Sequence, residues 1–202
     1  SPLAVFGGLW GDPFLQTAYK MTNIQAAQYI TLAFVGLGAG APLLGWIADR
    51  LSLRMEVMIA ATMLSFVSLL IILMLPSTAH LMLALSLLAF GIGTGGFMLG
   101  FTVAKTLNPV VVAATVVAMI NTGDALFGAV TEPFIGALLD HLSHGNISHG
   151  TPVFTLSNYH YALALLPVYL LVAVICALYA RNYSDKPEQQ SSTYLLAEGQ
   201  RT

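Results

Sequence analysis

Residues 26–44 and 57–75 carry no charged side chain. Between these runs, Gly45-Trp46-Ile47-Ala48-Asp49-Arg50-Leu51-Ser52-Leu53-Arg54 holds one Asp and two Arg. This pattern constrains the fold more than any other feature. A helix of about 20 apolar residues crosses a hydrocarbon core about 30 Å thick, whereas a charge at the bilayer centre costs at least about 2.5–3.5 kcal/mol. The charged island therefore marks one face of a membrane, as the turn of a helical hairpin. The rest of the chain agrees: 57% of residues are hydrophobic and 8% charged, against about 25% charged in soluble domains. The runs lack the alternation a membrane β-barrel needs, so the class is an all-α polytopic membrane protein. A net charge of -2 gives no basis for nucleic-acid binding. Cys176, the single cysteine, lies in an apolar run and is expected simply to pack.

Hydropathy predicts six spans: Leu3 to Tyr19, Ala26 to Ile47, Val57 to Leu75, Leu81 to Thr102, Val110 to Leu139, and Tyr161 to Ala180. Residues 1–181 then form one six-helix bundle, and residues 182–202 a polar cytoplasmic tail expected to be disordered. The opening Ser1-Pro2-Leu3 lacks the basic stretch and cleavage site of a signal peptide. It leads straight into a helix, which raises the expectation of a longer parent polypeptide. With the island in the cytoplasm, Arg50, Arg54, Lys105, Arg181, Lys186 and Arg201 share that side and only Lys20 lies outside. The positive-inside rule then places both termini in the cytoplasm, and the expected location is the inner (plasma) membrane.

Glycine is unevenly placed. Gly7 and Gly11, Gly36 and Gly40, Gly91 and Gly95, and Gly96 and Gly100 are small-x-x-x-small pairs, the spacing that lets helix backbones approach closely. Ordinary tight packing accounts for each pair. The fourth span also crowds Gly91, Gly93, Gly95, Gly96 and Gly100 into one half, which makes it the candidate for a bending gate helix. Pro13, Pro42, Pro133 and Pro167 each remove one backbone bond within a span.

Three acids fall inside spans: Asp12 in the first, Asp124 and Glu132 in the fifth. A buried acid in a membrane is a functional-site candidate, since desolvation raises its pKa and suits it to carry a proton. Asp124 and Glu132 lie about 80° apart around a helix and can flank one cavity. For Glu132 the competing reading is a protonated acid bonded to a neighbouring helix beside the Pro133 kink. Trp10, Gln16 and Asn121 are uncharged candidates for binding solute. Trp10 also reads as a packing or interfacial anchor, and it falls on a different face from Gln16. No Lys or Arg sits within a span core, so an anionic solute finds no evident partner here. His141, His144, His149 and His160 have irregular spacing without a completing ligand set, so no metal site and no cofactor are expected. Asn146-Ile147-Ser148 fits a glycosylation sequon.

The island resembles the loop signature of the major facilitator superfamily, Gly-x-x-x-Asp-(Arg/Lys)-x-Gly-x-(Arg/Lys)-(Arg/Lys). Gly45, Asp49, Arg50 and Arg54 match, while Ser52 stands for the usual Gly and Met55 for a second basic residue. Ala114-Thr115 through Ile120-Asn121, with Gly128, Pro133, Ile135-Gly136 and Leu139-Asp140, is similar to the eleventh helix of bacterial organic-solute carriers in that superfamily. The resemblance implies the carboxy-terminal half, helices seven to twelve, of a carrier with two six-helix bundles around a central cavity. It also implies alternating access. The first and fourth spans would line that cavity, and the fifth would face it in part, which favours Asp124 over Glu132. Gly45, Asp49, Arg50 and Arg54 would form a cytoplasmic latch against the missing amino-terminal half or a second copy.

The expected function is secondary active transport, by proton symport, of a small organic solute such as an amino acid. The other classes are a non-transporting scaffold or receptor of the same fold, and an intramembrane enzyme. The enzyme class is disfavoured because no Gly-x-Ser-Gly nucleophile motif occurs.

Overall fold

Each apolar run is helical, because in a bilayer the only way for a single segment to satisfy its backbone donors and acceptors is to pair them internally. The computed structural model describes residues 2–106, 108–143, 147–148, 151–152 and 154–181. The elements are α1 (Pro2–Val5), a π-helical turn (Phe6–Trp10), α2 (Gly11–Tyr19), α3 (Asn23–Leu51), α4 (Arg54–Met74), α5 (His80–Gly95) and α6 (Phe97–Thr106). They continue with a 3-10 turn (Val110–Val112), α7 (Ala113–Leu142), a two-residue antiparallel ladder of β1 (Ile147–Ser148) with β2 (Thr151–Pro152), α8 (Leu156–Leu163) and α9 (165–181). The expected tail at 182–202, and His144, Asn146 and His149, lie outside the described residues.

Five stretches are long and apolar enough to cross a membrane as helices: Asn23–Leu51, Arg54–Met74, His80–Thr106, Val110–Leu142 and Leu156–Arg181. The first span is the sixth crossing, but it is three pieces rather than one helix. Its residues 6–10 wind as a π-helix, and the Gly11 N–H donates to the Phe6 carbonyl. Such turns are rare and concentrate at functional sites.

Two boundaries correct the sequence reading. The second span begins at Asn23, not Ala26, because Thr22 caps it. The Thr22 hydroxyl accepts from the Gln25 N–H while the Gln25 side chain accepts from the Thr22 N–H, a capping box. The span ends at Leu51, so most of the charged island is not a loop but the last turns of α3. Only Ser52 and Leu53 make the turn.

Ser52 is left-handed, with φ 55°. The Leu53 N–H donates to the Ala48 carbonyl at 3.2 Å and the Ser52 N–H to Asp49 at 3.4 Å, the Schellman closure of a helix end. A serine thus holds the conformation for which glycine is the usual residue.

The second and fourth spans pack backbone to backbone. A Cβ on Gly40 would lie 2.5 Å from the Ile92 carbonyl oxygen, and one on Gly95 2.6 Å from the Ala41 nitrogen. Gly36 meets Leu88, and Gly91 meets Ala33. Both small-x-x-x-small pairs therefore face each other across one interface. Gly93 and Gly96 turn the other way, against Ala61 and Ser65 of the third span. There the Ser65 hydroxyl donates to the Phe90 carbonyl at 3.2 Å and lies 3.3 Å from the Thr94 hydroxyl. Gly7 and Gly11 press on Phe34 and Ile30 of the second span. The fourth span does break inside its glycine-rich half, with Gly96 N–H donating to Gly93 in a tightened turn between α5 and α6. The main core joins all six spans, with Ala26, Ile30 and Ala33 from the second and Ile135 and Leu139 from the fifth. Phe6 and Phe14 meet at a ring-centroid distance of 6.1 Å, Phe6 meets Phe90 edge-on at 6.1 Å, and Phe14 meets Tyr159 at 6.2 Å.

Candidate functional site

The first span places its candidate residues on two faces, as its spacing requires. Asp12 opens α2, directly after the π-helical turn, and Gln16 follows one turn later. The Gln16 Nε2 donates to Asp12 Oδ2 at 2.8 Å, and Asn23 Nδ2, from the first turn of the second span, reaches the same oxygen at 3.5 Å. Asp12 Oδ1 is shielded from solvent and has no hydrogen-bond partner. The carboxylate thus ties the first span to the start of the second through one oxygen and keeps the other uncommitted. Asn23 is a residue that sequence reasoning did not single out. Its signal was the capping box, which moves the helix start back and brings Asn23 opposite the end of the first span.

Trp10 lies on the face toward the fifth span. Its indole Nε1 donates to the Glu132 carbonyl at 3.2 Å, and its ring covers Gly136, whose added Cβ would sit 3.3 Å from Cζ2. The carbonyl of Glu132, rather than its acid, is what meets the first span. Trp10 thus packs against the fifth span as an anchor and does not join Asp12 and Gln16.

The fifth span is the least packed. Its buried residues are Thr131, Ile135 and Leu139, all in the second half of α7, and no residue of its most apolar window is buried. Asn121 is exposed and Asp124 half-buried on this unpacked part, and Glu132 lies at its edge. Met119, Leu126, Phe127, Val130 and Phe134 of the same helix are exposed large apolar side chains. Thr131 donates to the Tyr169 hydroxyl at 3.4 Å, and the Phe127 ring meets Tyr169 edge-on at 5.9 Å, fastening the fifth span to the sixth. Asp12, Asp124 and Glu132 share no hydrogen bond among those observed, so the structure does not join the three acids into one cluster.

At the opposite end, Arg54 donates to Asp49 Oδ1 through Nη2 at 2.9 Å and Nε at 3.2 Å, bridging the helix end and the start of α4. Arg50 stays out of that pair and lies over the Trp46 ring, 5.7 Å from its centroid. Gly45, one turn earlier, has open space where a side chain would stand. A groove of about 600 Å³ opens between the third and sixth spans, walled by Phe66, Leu70, Leu73, Pro167 and Leu171, with His160 at its edge. No candidate site residue lines it.

The sequence matches the family model of the Major Facilitator Superfamily over residues 3–196. The chain belongs to the Major Facilitator Superfamily. Its six crossings and 202 residues have the size of one six-helix half of that fold. Members of the superfamily are transporters, so this is a multi-pass membrane protein of a transporter family that works on small-molecule solutes in a lipid bilayer. No curated protein matches the chain.

Proposed function

We propose that the chain is the carboxy-terminal half of a secondary active transporter that carries a small organic solute, such as an amino acid, by alternating access with proton coupling. The observation that carries this reading is the unpacked face of the fifth span. The apolar window of this 33-residue crossing buries nothing within its own bundle, and polar groups on such a face at membrane depth favour a protein-lined cavity over lipid. Asn121 and Asp124 sit on that stretch, where a second six-helix bundle, or a second copy, would enclose them beside a cavity. Asp124 is the proposed proton carrier, and Asp12 and Glu132 flank the route. With Asp12 held by Gln16, and Trp10 fixing the first span to the fifth, these two spans would form one wall of the route and the other half the opposite wall.

Gly45, Asp49, Arg50 and Arg54 form the proposed cytoplasmic latch. The Asp49–Arg54 pair holds the turn, leaving Arg50 to meet an acid of the other half. Both termini lie in the cytoplasm in this reading, and the membrane is the inner (plasma) membrane. The break at Gly96 supplies a place for the fourth span to bend as the gate closes.

Coupling of proton and solute requires that each changes the other's affinity, so that empty or doubly loaded carrier reorients readily. Uptake driven by a pH gradient in proteoliposomes of the full carrier tests this. Asp124→Asn should abolish pH-driven uptake while the protein still reaches the membrane and solute exchange persists. Unchanged pH-driven uptake in that variant removes Asp124 from the mechanism.

A further inference from the structure

We propose that the groove between the third and sixth spans holds one acyl chain of a phospholipid, with the lipid phosphate at His160, as a retained lipid and not an exchanging neighbour. This site depends only on the placement of the chain in a bilayer, not on the solute carried. The groove has about 600 Å³ and is walled by Phe66, Leu70 and Leu73 on one side and by Ala164, Pro167 and Leu171 on the other. Among the described residues that line it, His160 is the one polar side chain.

The sixth span makes the space. Pro167 has no N–H to give to the Leu163 carbonyl, and the helix is interrupted at Ala164, where the Val168 N–H reaches the Ala164 carbonyl only at 3.5 Å. The break sets two short side chains, Ala164 and Pro167, across the groove from the longer ones of the third span.

Depth and polarity select the occupant. The third span starts at Arg54 beside the charged island and ends at Met74, and α8 starts at Leu156, so the groove lies in the leaflet away from the island. From His160 to Leu171 it runs about 16 Å along the helix, half of a hydrocarbon core about 30 Å thick. That is the depth of one leaflet. Residues 57–75 and 161–180 hold no charged side chain, and their helices are the two most apolar of the five long crossings. The acids at membrane depth, Asp12, Asp124 and Glu132, lie on the first and fifth spans, so a protein-lined cavity belongs there and lipid covers this side.

An acyl chain gains no hydrophobic free energy by leaving the bilayer for the groove, since lipid tails are as apolar as Leu. Retention has two other sources. A tail seated between the walls keeps dispersion contacts with both, which a tail passing over the groove forfeits. At the mouth the exposed His160 ring leans on Phe14, with ring centroids 6.0 Å apart, and an imidazole N–H donates to a phosphate oxygen in a charge-assisted bond.

The test uses the protein in proteoliposomes with two photoactivatable probes that share the same diazirine-bearing chains, a phosphatidylethanolamine and a diacylglycerol, and maps the labelled peptides. Per exposed residue, the phospholipid should label 66–74 and 160–171 about threefold or more above the exposed stretch 175–179. Ala164→Phe fills the groove from a position that is already exposed, and should bring that labelling down to the level of 175–179. His160→Ala should lower labelling by the phospholipid to that of the diacylglycerol, and His160→Gln, which keeps an N–H donor, should restore most of it. Labelling in proportion to exposure along both spans, or unchanged in Ala164→Phe, overturns the site, the lipid then being an ordinary exchanging neighbour. Equal labelling by the two probes in the unaltered protein overturns the phosphate contact and the assignment with it. Groove peptides that stay unlabelled, because a second copy or another protein segment covers them, overturn it as well. Both His160 variants change one exposed side chain, so they decide the matter even where Ala164→Phe does not reach the membrane.

Discussion

Replacing Gly40 by Ala should destabilise the protein, and replacing Gly38 by Ala, two residues away on the same helix, should not. Helix propensity alone treats the two alike, since Ala is favoured over Gly by about 1 kcal/mol at any interior position. The surroundings differ. A Cβ at Gly38 meets nothing within 4 Å, but at Gly40 it would stand 2.5 Å from the Ile92 carbonyl oxygen and 2.6 Å from the Ile92 Cα. Backbone atoms on a packed helix cannot swing aside, so the second and fourth spans must part by roughly 0.9 Å to reach ordinary contact. A gap of that order forfeits about a quarter to a half of each dispersion well it opens, and it opens every contact along the Gly36–Gly40 and Gly91–Gly95 seam. Overpacking of this kind costs about 1–3 kcal/mol, which outweighs the gain in propensity. Gly40→Ala should thus lower stability by about 1–2 kcal/mol net, and Gly38→Ala should raise it by up to about 1 kcal/mol. Thermal unfolding of the purified variants in one detergent, followed by size-exclusion chromatography of the surviving monodisperse fraction, reads the difference. Equal shifts of the same sign in the two variants would refute the seam as described.

Ser52→Gly should stabilise the protein by about 0.5–1 kcal/mol, because relief of a left-handed residue, about 1–2 kcal/mol, exceeds the entropy that glycine adds to the unfolded chain; a lowered melting temperature contradicts the Schellman closure. Arg54→Ala should change stability by less than about 1 kcal/mol, since its pair with Asp49 is exposed, at 39% and 67% for the two side chains. A larger loss of melting temperature would show that the pair holds more than a turn. Trp10→Phe deletes the indole donor to the Glu132 carbonyl together with the Cζ2 and Cη2 atoms that cover Gly136, and should cost about 1–3 kcal/mol in the same melt. An unchanged melt would mean that Trp10 does not join the first and fifth spans.

How far the sequence carried can be judged residue by residue. The six crossings, the hairpin at the island and the role of three of the four glycine pairs were legible, because length of apolar run and three-residue spacing act locally and need no knowledge of the partner helix; the fourth pair fails at Gly100, where the nearest neighbour is Met58 Sδ at 4.0 Å. The glycines were also read as a hinge, and the structure shows Gly91 and Gly95 turned to the second span and Gly93 and Gly96 to the third, with the break confined to Gly96. The π-helical turn was not legible. Its residues Phe6-Gly7-Gly8-Leu9-Trp10 carry no pattern that distinguishes 4.4 from 3.6 residues per turn.

The sequence by itself determined that this chain spans a membrane six times as helices and where its charged turn lies, since the free energy of burying backbone and charge in hydrocarbon depends only on local composition. Only the tertiary structure decided which candidate residues meet. It separated Trp10, bonded to the backbone at Glu132, from Asp12 and Gln16. It also brought Asn23 across a loop to the Asp12 carboxylate and left Oδ1 without a partner. The reason is that a hydrogen bond forms over about 3 Å, whereas hydropathy locates a helix end only to within a turn, and a shift of one residue turns a side chain by about 100°.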